Sequence, residues 1–335
     1  MSDTTELPGL LDAGISTFMG IEHVAPTVDE LTERDIDIGI LGIPFDSTCL
    51  SRTGTNRGPN DIREMSCQTH PYHFEYDVRI DEAYSMVDFG DVQALPGNAE
   101  TTIRRGQETL IQLFEAAITP VVLGGDHSIS IAGITAIGEE YDNPGLIVLD
   151  THLDTAQDID GERYNHACPV ARAIDEAGID PERICLLGIS GTGNPRFERE
   201  YAERHGINVF PLDEIVERGP VTVAREAVDI AHDGTDGVYL SVDIDVLDAA
   251  YAPGTGVPSP AGMTSRELLQ ILGVVASEGF TAMDVVETSP AWDDSQATSV
   301  MVCRIISDCL AASATEEANG VGTGAHALRN GQRPG

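Results

Sequence analysis

Short apolar runs alternate with helical patterns along most of the chain. The strand-like runs lie at residues 36–44, 85–90, 119–126, 145–150, 183–189, 207–211, 237–245 and 281–287. Patterns with apolar residues every three or four positions lie at 99–117, 169–178, 221–234 and 265–279. Strands that alternate with helices indicate a parallel sheet covered on both faces. The sequence therefore predicts a three-layer α/β fold with a doubly wound sheet of about eight parallel strands in a single domain.

The fourth run ends in an unusual polar segment. The residues "LDTHLDT" place Asp150, His152 and Asp154 at every second position directly after the apolar residues "GLIVL". Alternate side chains of a strand share a face, so two carboxylates and an imidazole would crowd together. Such crowding is costly unless a positive charge lies among them, and a metal ion supplies it.

Three other strand ends carry similar groups. The third run ends in "LGGDHS" with His127, the seventh in "SVDID" with Asp243 and Asp245, and the eighth in "VVE" with Glu287. The carboxyl ends of parallel strands meet at one edge, where such sheets bind ligands. Helix capping alone would explain a single aspartate, but neither the histidines nor the repeated period of two.

Four carboxylates and two imidazoles exceed the three or four protein ligands of a typical zinc site. They suit two ions that share carboxylates, and the oxygen-rich set favours manganese or magnesium, although nickel or zinc is compatible with the spacing. Two such ions can lower the pKa of a bound water from about 15.7 toward about 7. The predicted chemistry is hydrolysis.

Charge and leader signals restrict the partners and the compartment. The chain has 56 acidic and 19 basic residues, a formal net charge of −37, and no lysine. Such a surface repels nucleic acid and anionic membranes. The scattered acids favour adaptation to high salt over an acidic site for a cationic substrate, which points to a halophile. Without a secretory leader or a run of 18 apolar residues, we expect a cytoplasmic protein.

The six cysteines have no regular spacing, so we expect reduced thiols and no zinc finger. Cys168 follows His166 by two residues. A Cys/His nucleophile is the less favoured interpretation of that pair.

Several segments together resemble the ureohydrolases, the arginase and agmatinase family, over roughly residues 36 to 312. The segments are "GGDHS", "DTHLD" and "SVDIDVLDAAYAPGTGVPSPAG", with further matches at "GIPFDSTCLSRTGTNRGPNDIRE", "NHACP" and "DVVETSP". The resemblance implies the arginase-like fold, two Mn²⁺ ions per subunit, and cleavage of a guanidino compound to urea and an amine.

The resemblance also assigns residues to roles. One ion would be held by His127, Asp150, Asp154 and Asp243, and the other by Asp150, His152, Asp243 and Asp245. Glu287 would pair with the guanidinium group, Asp154 would also orient the attacking hydroxide, and His166 would carry protons near the leaving amine. These catalytic roles complete the predicted site.

The chain departs from the family pattern at Thr151, Ala167 and Ser190 and in the segment "DAAYAPGTG", where Asp-Pro is usual, and none of these departures removes a predicted ligand. Because these residues flank the segments that hold substrate tails, they bear on specificity. The APGTG segment and the absence of an arginase-type amino-acid loop favour agmatinase, which splits agmatine into putrescine and urea. The alternatives are a guanidinobutyrase-like guanidino-acid hydrolase, a guanidine hydrolase, a formiminoglutamase, or a non-catalytic metal-binding regulatory homologue.

The two ends of the chain are expected to lie outside the catalytic domain. We predict an N-terminal arm at residues 1–33 that packs on a neighbouring subunit, a catalytic domain at 34–312, and a flexible polar tail at 313–335. The resemblance implies a homotrimer or homohexamer.

Overall fold

A single eight-stranded sheet forms the centre of the molecule. The computed structural model describes residues 16–318. Ten strands occur in them: β1 Ile38–Gly42, β2 Tyr72–His73, β3 Val78–Arg79, β4 Met86–Asp91, β5 Thr119–Leu123, β6 Pro144–Leu149, β7 Ile184–Ile189, β8 Asn208–Pro211, β9 Gly237–Asp243 and β10 Ala282–Val286. The large sheet has the order β4-β1-β5-β10-β9-β6-β7-β8, and β2 and β3 form a small antiparallel pair.

All eight predicted strands are present in the large sheet, and every neighbouring pair in it is parallel. The helices are α1 Val28–Glu33, α2 Gly58–Ser66, α3 Ile80–Ala83, α4 Ala99–Glu115, α5 Ser130–Glu140, α6 Pro169–Asp175, α7 Arg196–His205, α8 Leu212–Arg218, α9 Pro220–Ala231, α10 Ser265–Glu278 and α11 Ala297–Ala318. The four helical patterns of the sequence correspond to α4, α6, α9 and α10. The predicted α/β fold is confirmed.

Helices cover both faces of the sheet, which explains the continuous apolar runs. In β6, Ile147 and Leu149 belong to a core shared with α2, α9, α10 and α11. Leu146 and Val148 of the same strand point to the opposite core, which is shared with α4, α5 and α6. Each strand is therefore apolar on both sides, as expected for a buried parallel sheet.

Local capping sets the start of two of these helices. Asn98 accepts a hydrogen bond from the backbone N–H of Thr101 at the start of α4 (2.8 Å). At the start of α10, Thr264 and Glu267 form a capping box. Both devices satisfy backbone donors that the first helical turn leaves free.

The structure moves the predicted C-terminal boundary. The helix α11 continues six residues beyond Ala312, to Ala318. Ser313 Oγ donates to the carbonyl of Ala276 in α10 (3.0 Å), and Ala314 is buried. Residues 313–318 therefore continue the helix where the sequence predicts a flexible tail, and the small side chains of Ser313 and Ala314 contact the core. Residues 319–335 lie outside the described part.

The predicted N-terminal arm is only partly described, since residues 1–15 lie outside the described range. Phe18 is fully buried, and its backbone N–H donates to Asp88 Oδ2 (2.8 Å). From Phe18 onward the arm thus contacts the core of its own chain, which the sequence did not predict.

One segment of α11, Ala297–Thr315, is long and apolar enough to cross a membrane by length and composition, and the sequence pattern did not single it out. Within the fold, 72% of this segment is buried. Its contacts with α2 and α10 account for its apolar composition.

Candidate metal centre and substrate site

The four central strands of the sheet bring the predicted site residues to one edge. β5, β10, β9 and β6 are neighbours in that order, and their carboxyl ends lead to His127, Glu287, Asp243 and Asp150. These strands lie where the winding direction of the chain reverses. On one side of them, β1 and β4 follow β5 outward, and on the other side β7 and β8 follow β6. Ligand sites in open α/β sheets form at this position.

His127 lies within a group of three carboxylates. Its Nδ1 is 2.9 Å from Asp154 Oδ2, 3.1 Å from Asp150 Oδ2 and 3.3 Å from Asp243 Oδ2. The ring and all three acids are buried. This group matches the set of four ligands that the sequence predicts for one ion.

His152 forms the second group. Its Nδ1 lies 3.4 Å from Asp150 Oδ1 and 3.3 Å from Asp245 Oδ2. The Asp243 carboxylate adjoins this group, because its Oδ1 accepts the Asp245 backbone N–H (2.8 Å). His127, Asp150 and Asp154 form one potential metal-binding triad, and Asp150, His152 and Asp245 form the other. Asp150 therefore belongs to both groups.

The electrostatics of the cluster call for a cation. Burial and the neighbouring acids raise the pKa of Asp243 well above its usual range, and burial raises that of Asp245 to about 7. Burial opposes protonation of the His127 ring, but the surrounding carboxylates raise its pKa well above the ordinary value. In the described chain, no arginine forms an ion pair with these acids. Protons or metal ions must therefore balance the charge.

Three buried polar atoms of the cluster have no hydrogen-bond partner, namely His127 Nδ1, Asp150 Oδ2 and Asp245 Oδ1. Buried polar atoms are normally paired, so orphaned atoms that face one another indicate a missing partner. Carboxylate oxygens and neutral imidazole nitrogens are suitable ligands for divalent ions. The residues present therefore fit a pair of metal ions.

A buried network sets the orientation of His127 from behind. His127 Nε2 is 3.2 Å from Ser241 Oγ, and Ser241 in turn donates to Asp284 Oδ1 (2.7 Å). The single serine proton is used on Asp284, so Ser241 must accept from Nε2–H of His127. Nδ1 then keeps its lone pair for the cluster, an arrangement typical of metal-binding histidines. Tyr239 also donates to Asp284 (2.8 Å).

Glu287 and His166 lie together beside the metal ligands. Glu287 Oε1 accepts the backbone N–H of His127 (2.9 Å) and is 3.2 Å from His166 Nδ1. Its other oxygen, Oε2, is buried without a partner. Burial opposes protonation of His166, but the Glu287 carboxylate raises the pKa of the imidazole to about 9. All eight predicted site residues thus lie in one contiguous cluster.

Two site residues adopt an unusual backbone conformation. Asp154 has φ 47° and Glu287 has φ 63°. Non-glycine residues rarely adopt positive φ, and such strain concentrates at functional sites. The strain supports a role for both side chains beyond packing.

Three of the departures from the family pattern lie in segments that adjoin the metal ligands or His166. Thr151 Oγ1 lies 2.9 Å from Ser190 Oγ and 3.0 Å from Ser259 Oγ. Two of the departures therefore contact each other. The carbonyl of Ala167, the third of these residues, accepts the N–H of Ala156 (3.0 Å). This hydrogen bond joins the two ends of the loop that contains His166.

Asn194 joins the Ser190 segment to the second metal segment. Its amide donates to the carbonyls of Thr151 (2.9 Å) and Ser190 (2.7 Å), and its oxygen accepts from the N–H of Leu153 (2.8 Å). A Cβ on Gly193 would lie 2.6 Å from His152 Nε2. Neither contact was predictable from the sequence pattern.

Cys168 is buried, and burial raises the pKa of its thiol to about 12. A nucleophile must be a thiolate, so this environment disfavours the Cys/His interpretation.

Sequence reasoning missed a set of supporting residues. Asp126 Oδ2 accepts from both the N–H (2.9 Å) and the hydroxyl (2.8 Å) of Thr48, and the Asp284 network lies behind His127. An aspartate within the otherwise apolar run "AMDVV" was a usable signal for Asp284. Thr48 offered none, because its contacts are distant in sequence.

Comparison with known proteins identifies the group to which this site belongs. Residues 36–312 match the arginase family. The chain belongs to that family. The predicted resemblance is therefore confirmed, and this arginase-family hydrolase carries two overlapping groups of candidate metal ligands.

Several relatives are similar over most of their length. Proclavaminate amidinohydrolase of Streptomyces clavuligerus is 34% identical over 301 residues, which are 89% of this chain and 93% of that protein. Its solved structure has a TM-score of 0.81 at 33% identity and covers 91% of this chain and 98% of its own. Guanidinopropionase of Pseudomonas aeruginosa is 31% identical, with 92% and 94% coverage. Mitochondrial agmatinase of Gallus gallus is 31% identical, with 84% and 82% coverage.

Proposed function

We propose that this arginase-family protein is a dinuclear manganese hydrolase that cleaves a linear guanidino compound to urea and an amine. The observation that carries the proposal is the sharing of Asp150 by two ligand groups directly beside Glu287. The oxygen-rich ligand set with two imidazoles favours manganese over metals that prefer sulfur ligands.

The chain's own residues would bind and orient the substrate. When bound, the metal pair would activate a water molecule for attack on the guanidinium carbon. Asp154, next to His127, would accept a hydrogen bond from that water. Glu287 Oε2, which is buried and unpaired, would accept N–H donors of the planar guanidinium ion.

His166 would handle the proton of the leaving amine. Its ring contacts Glu287, so it lies beside the proposed guanidinium position. Glu287 raises the pKa of this imidazole to about 9, so the ring can supply a proton at neutral pH, and positioned acid–base groups contribute roughly 10²–10⁴-fold to rate. The cleaved bond joins the guanidinium carbon to the substituted nitrogen, which leaves as the amine.

Agmatine is the substrate that the APGTG segment and the missing arginase loop favour. The similarity to the mitochondrial agmatinase of Gallus gallus supports this choice. Formiminoglutamate and guanidine remain alternatives in the substrate panel.

A guanidino acid is the second candidate, and Arg52 favours it. A Cβ on Gly256 would lie 3.0 Å from Glu287 Oε2 and 3.2 Å from the Arg52 carbonyl oxygen, so the Arg52 backbone adjoins the proposed guanidinium site. The Arg52 guanidinium stacks on Trp292, 4.8 Å from the ring centroid, and has no acidic partner among residues 16–318. An arginine side chain on a segment beside the substrate site can bind the carboxylate of a guanidino acid. Similarity to proclavaminate amidinohydrolase and guanidinopropionase supports this class too.

The test is product release from the manganese-loaded protein in high salt. The panel contains agmatine, guanidinobutyrate, guanidinopropionate, arginine and guanidine, assayed for urea, and formiminoglutamate, assayed for formamide. Arg52→Gln should reduce turnover of guanidino acids much more than that of agmatine if the carboxylate contact exists. Absence of product from every compound would favour the non-catalytic regulatory homologue, although such a scaffold has no need for Glu287 and His166.

We also propose a homotrimer or homohexamer in the cytoplasm of a halophile. The large acidic excess, with no lysine, supports the halophilic origin. Sedimentation in high salt tests the assembly, and a monomer would contradict it.

A further inference from the structure

The segment 48–50, between β1 and α2, lies directly against His166. Thr48 Oγ1 accepts the backbone N–H of His166 (3.1 Å). The backbone N–H of Leu50 donates to His166 Nε2 (3.3 Å). One short segment thus contacts both the backbone and the ring of the proposed proton carrier, although 116 residues separate Leu50 from His166.

The position of Thr48 is itself fixed by a buried acid. Asp126 is fully buried, and its Oδ2 accepts from both the N–H and the hydroxyl of Thr48. A threonine hydroxyl has one proton, which is donated to Asp126, so its lone pairs are left to accept from His166. Asp126, Thr48 and the His166 backbone therefore form a directed chain of hydrogen bonds.

The same contacts assign the tautomer of the neutral ring. A backbone N–H can only donate, so Nε2 of His166 must be the acceptor for Leu50. The ring proton then lies on Nδ1, which faces Glu287 Oε1 at 3.2 Å. If the ring were rotated by 180° about its bond to Cβ, carbon atoms would replace both nitrogens, and the contacts with Leu50 and Glu287 would be lost together.

We propose that Thr48 is a positioning residue for His166, and that the Asp126–Thr48 anchor holds the ring with Nδ1 toward Glu287. The inference rests on the proposed function, because it concerns the proton carrier of that reaction. It assigns catalytic importance to a side chain that would not contact the substrate. Misplacement of a catalytic group by about 1 Å can cost roughly 10²-fold in rate.

A purely structural role for Thr48 would have a different signature. Loss of a loop anchor would lower thermal stability or raise KM, whereas misorientation of His166 would lower kcat at nearly constant KM. Thr55 provides a matched control in the same loop. It is fully buried, and its hydroxyl contacts the Phe45 carbonyl (3.4 Å) and Cys49 but not His166.

The experiment compares four variants of the full chain, loaded with manganese, on the preferred substrate of the parent. Thr48→Val removes the hydroxyl at constant shape and should lower kcat about tenfold, with KM within about threefold and both ions retained. Thr48→Ser keeps the hydroxyl, so its kcat should lie within about twofold of the parent value. The kcat of the control variant Thr55→Val should lie in the same range. Thr48→Ala replaces the valine variant if the latter does not fold. His166→Ala measures the total contribution of the ring.

The outcomes separate this inference from the proposed function. Thr48→Val with kcat within about twofold of the parent, while His166→Ala loses more than about 100-fold, would overturn the positioning role alone. Loss of manganese from Thr48→Val would also overturn it, because the hydroxyl would then act through the metal ligands. Full activity of His166→Ala would instead refute the proton-carrier role, and the positioning role with it.

Discussion

Two regions of this protein bury aspartates, and they balance the negative charge in different ways. In β4, the Asp88 carboxylate accepts two hydrogen bonds from Arg63, from Nε at 2.8 Å and from Nη2 at 3.0 Å, and both residues are buried. In the candidate metal centre, Asp150 faces His127, His152 and other carboxylates, and one of its oxygens has no partner.

The difference distinguishes a structural ion pair from a site that binds cations. An arginine is always charged and held by the chain, so the Arg63–Asp88 pair is balanced permanently. The metal-centre carboxylates keep their free oxygens pointed at one another, which only an added cation makes favourable. A buried acid paired with arginine therefore indicates structure here, and a cluster of buried acids whose oxygens lack hydrogen-bond partners indicates a site that receives its charge from outside.

The shared ligand offers the strongest way to test this contrast. Asp150→Ala should lose both manganese ions and abolish turnover, because Asp150 belongs to both ligand groups. The metal-free protein should melt no lower than the metal-free parent, because one of several repelling charges is gone. Metal analysis after dialysis and a melting curve measure the two effects. Full metal occupancy in the variant would show that Asp150 is not a shared ligand, and Asp243→Ala makes the same test for the second predicted bridge.

Removal of the permanent cation should have the reverse effect. Arg63→Met leaves Asp88 buried without its partner and should destabilise the fold by about 3–5 kcal/mol. Denaturant unfolding measures the loss. The double variant Arg63→Met with Asp88→Leu should recover much of the stability, since the unpaired charge is removed. A single variant as stable as the parent would mean that Asp88 does not need Arg63.

Glu287 tests whether a buried acid in the metal centre can act on substrate without holding metal. Glu287→Gln keeps the size and loses the charge, so turnover should fall by about two orders of magnitude or more, on the order of 3 kcal/mol. Metal content and melting temperature should barely change. A glutamine variant that binds both ions and hydrolyses substrate within about threefold of the parent would rule out the guanidinium role.

The network behind His127 should have the smallest effect, confined to one half of the centre. Asp284→Asn can donate an amide proton to Ser241, which would turn the serine proton toward His127 Nε2 and disfavour the metal-binding tautomer. We expect about a 10–100-fold weaker manganese affinity at the His127 site and little change at the His152 site. Tyr239→Phe is the matched control, because it removes another hydroxyl contact of Asp284 and leaves Ser241 in place. Equal weakening by both variants would point to general disruption of the strand.

The strands and the metal segments were predictable because both follow local rules. A parallel sheet buried on both faces requires continuous apolar runs, and the period-two spacing of Asp150, His152 and Asp154 is visible without any tertiary contact. Because the carboxyl ends of parallel strands share one edge of the sheet, His127, Asp243 and Glu287 were predicted to lie in the same site.

The rest depended on packing between distant segments. Thr48 is 118 residues from His166, and neither residue type suggests the pairing. The extension of α11 past Ala312 escaped prediction for another reason. Ser313 and Ala314 are small and weakly patterned in the sequence, and the contact of Ser313 with Ala276 and the burial of Ala314 show that they belong to the core.

The most direct test of the proposed metal centre is a manganese titration of the chelator-treated parent. Calorimetry measures the number of ions bound, and urea release is assayed on the same samples. We expect two ions bound per chain, no activity without metal, and full activity only after the second ion is bound. Binding of a single ion, or turnover that persists after chelation, would contradict a dinuclear centre built on Asp150.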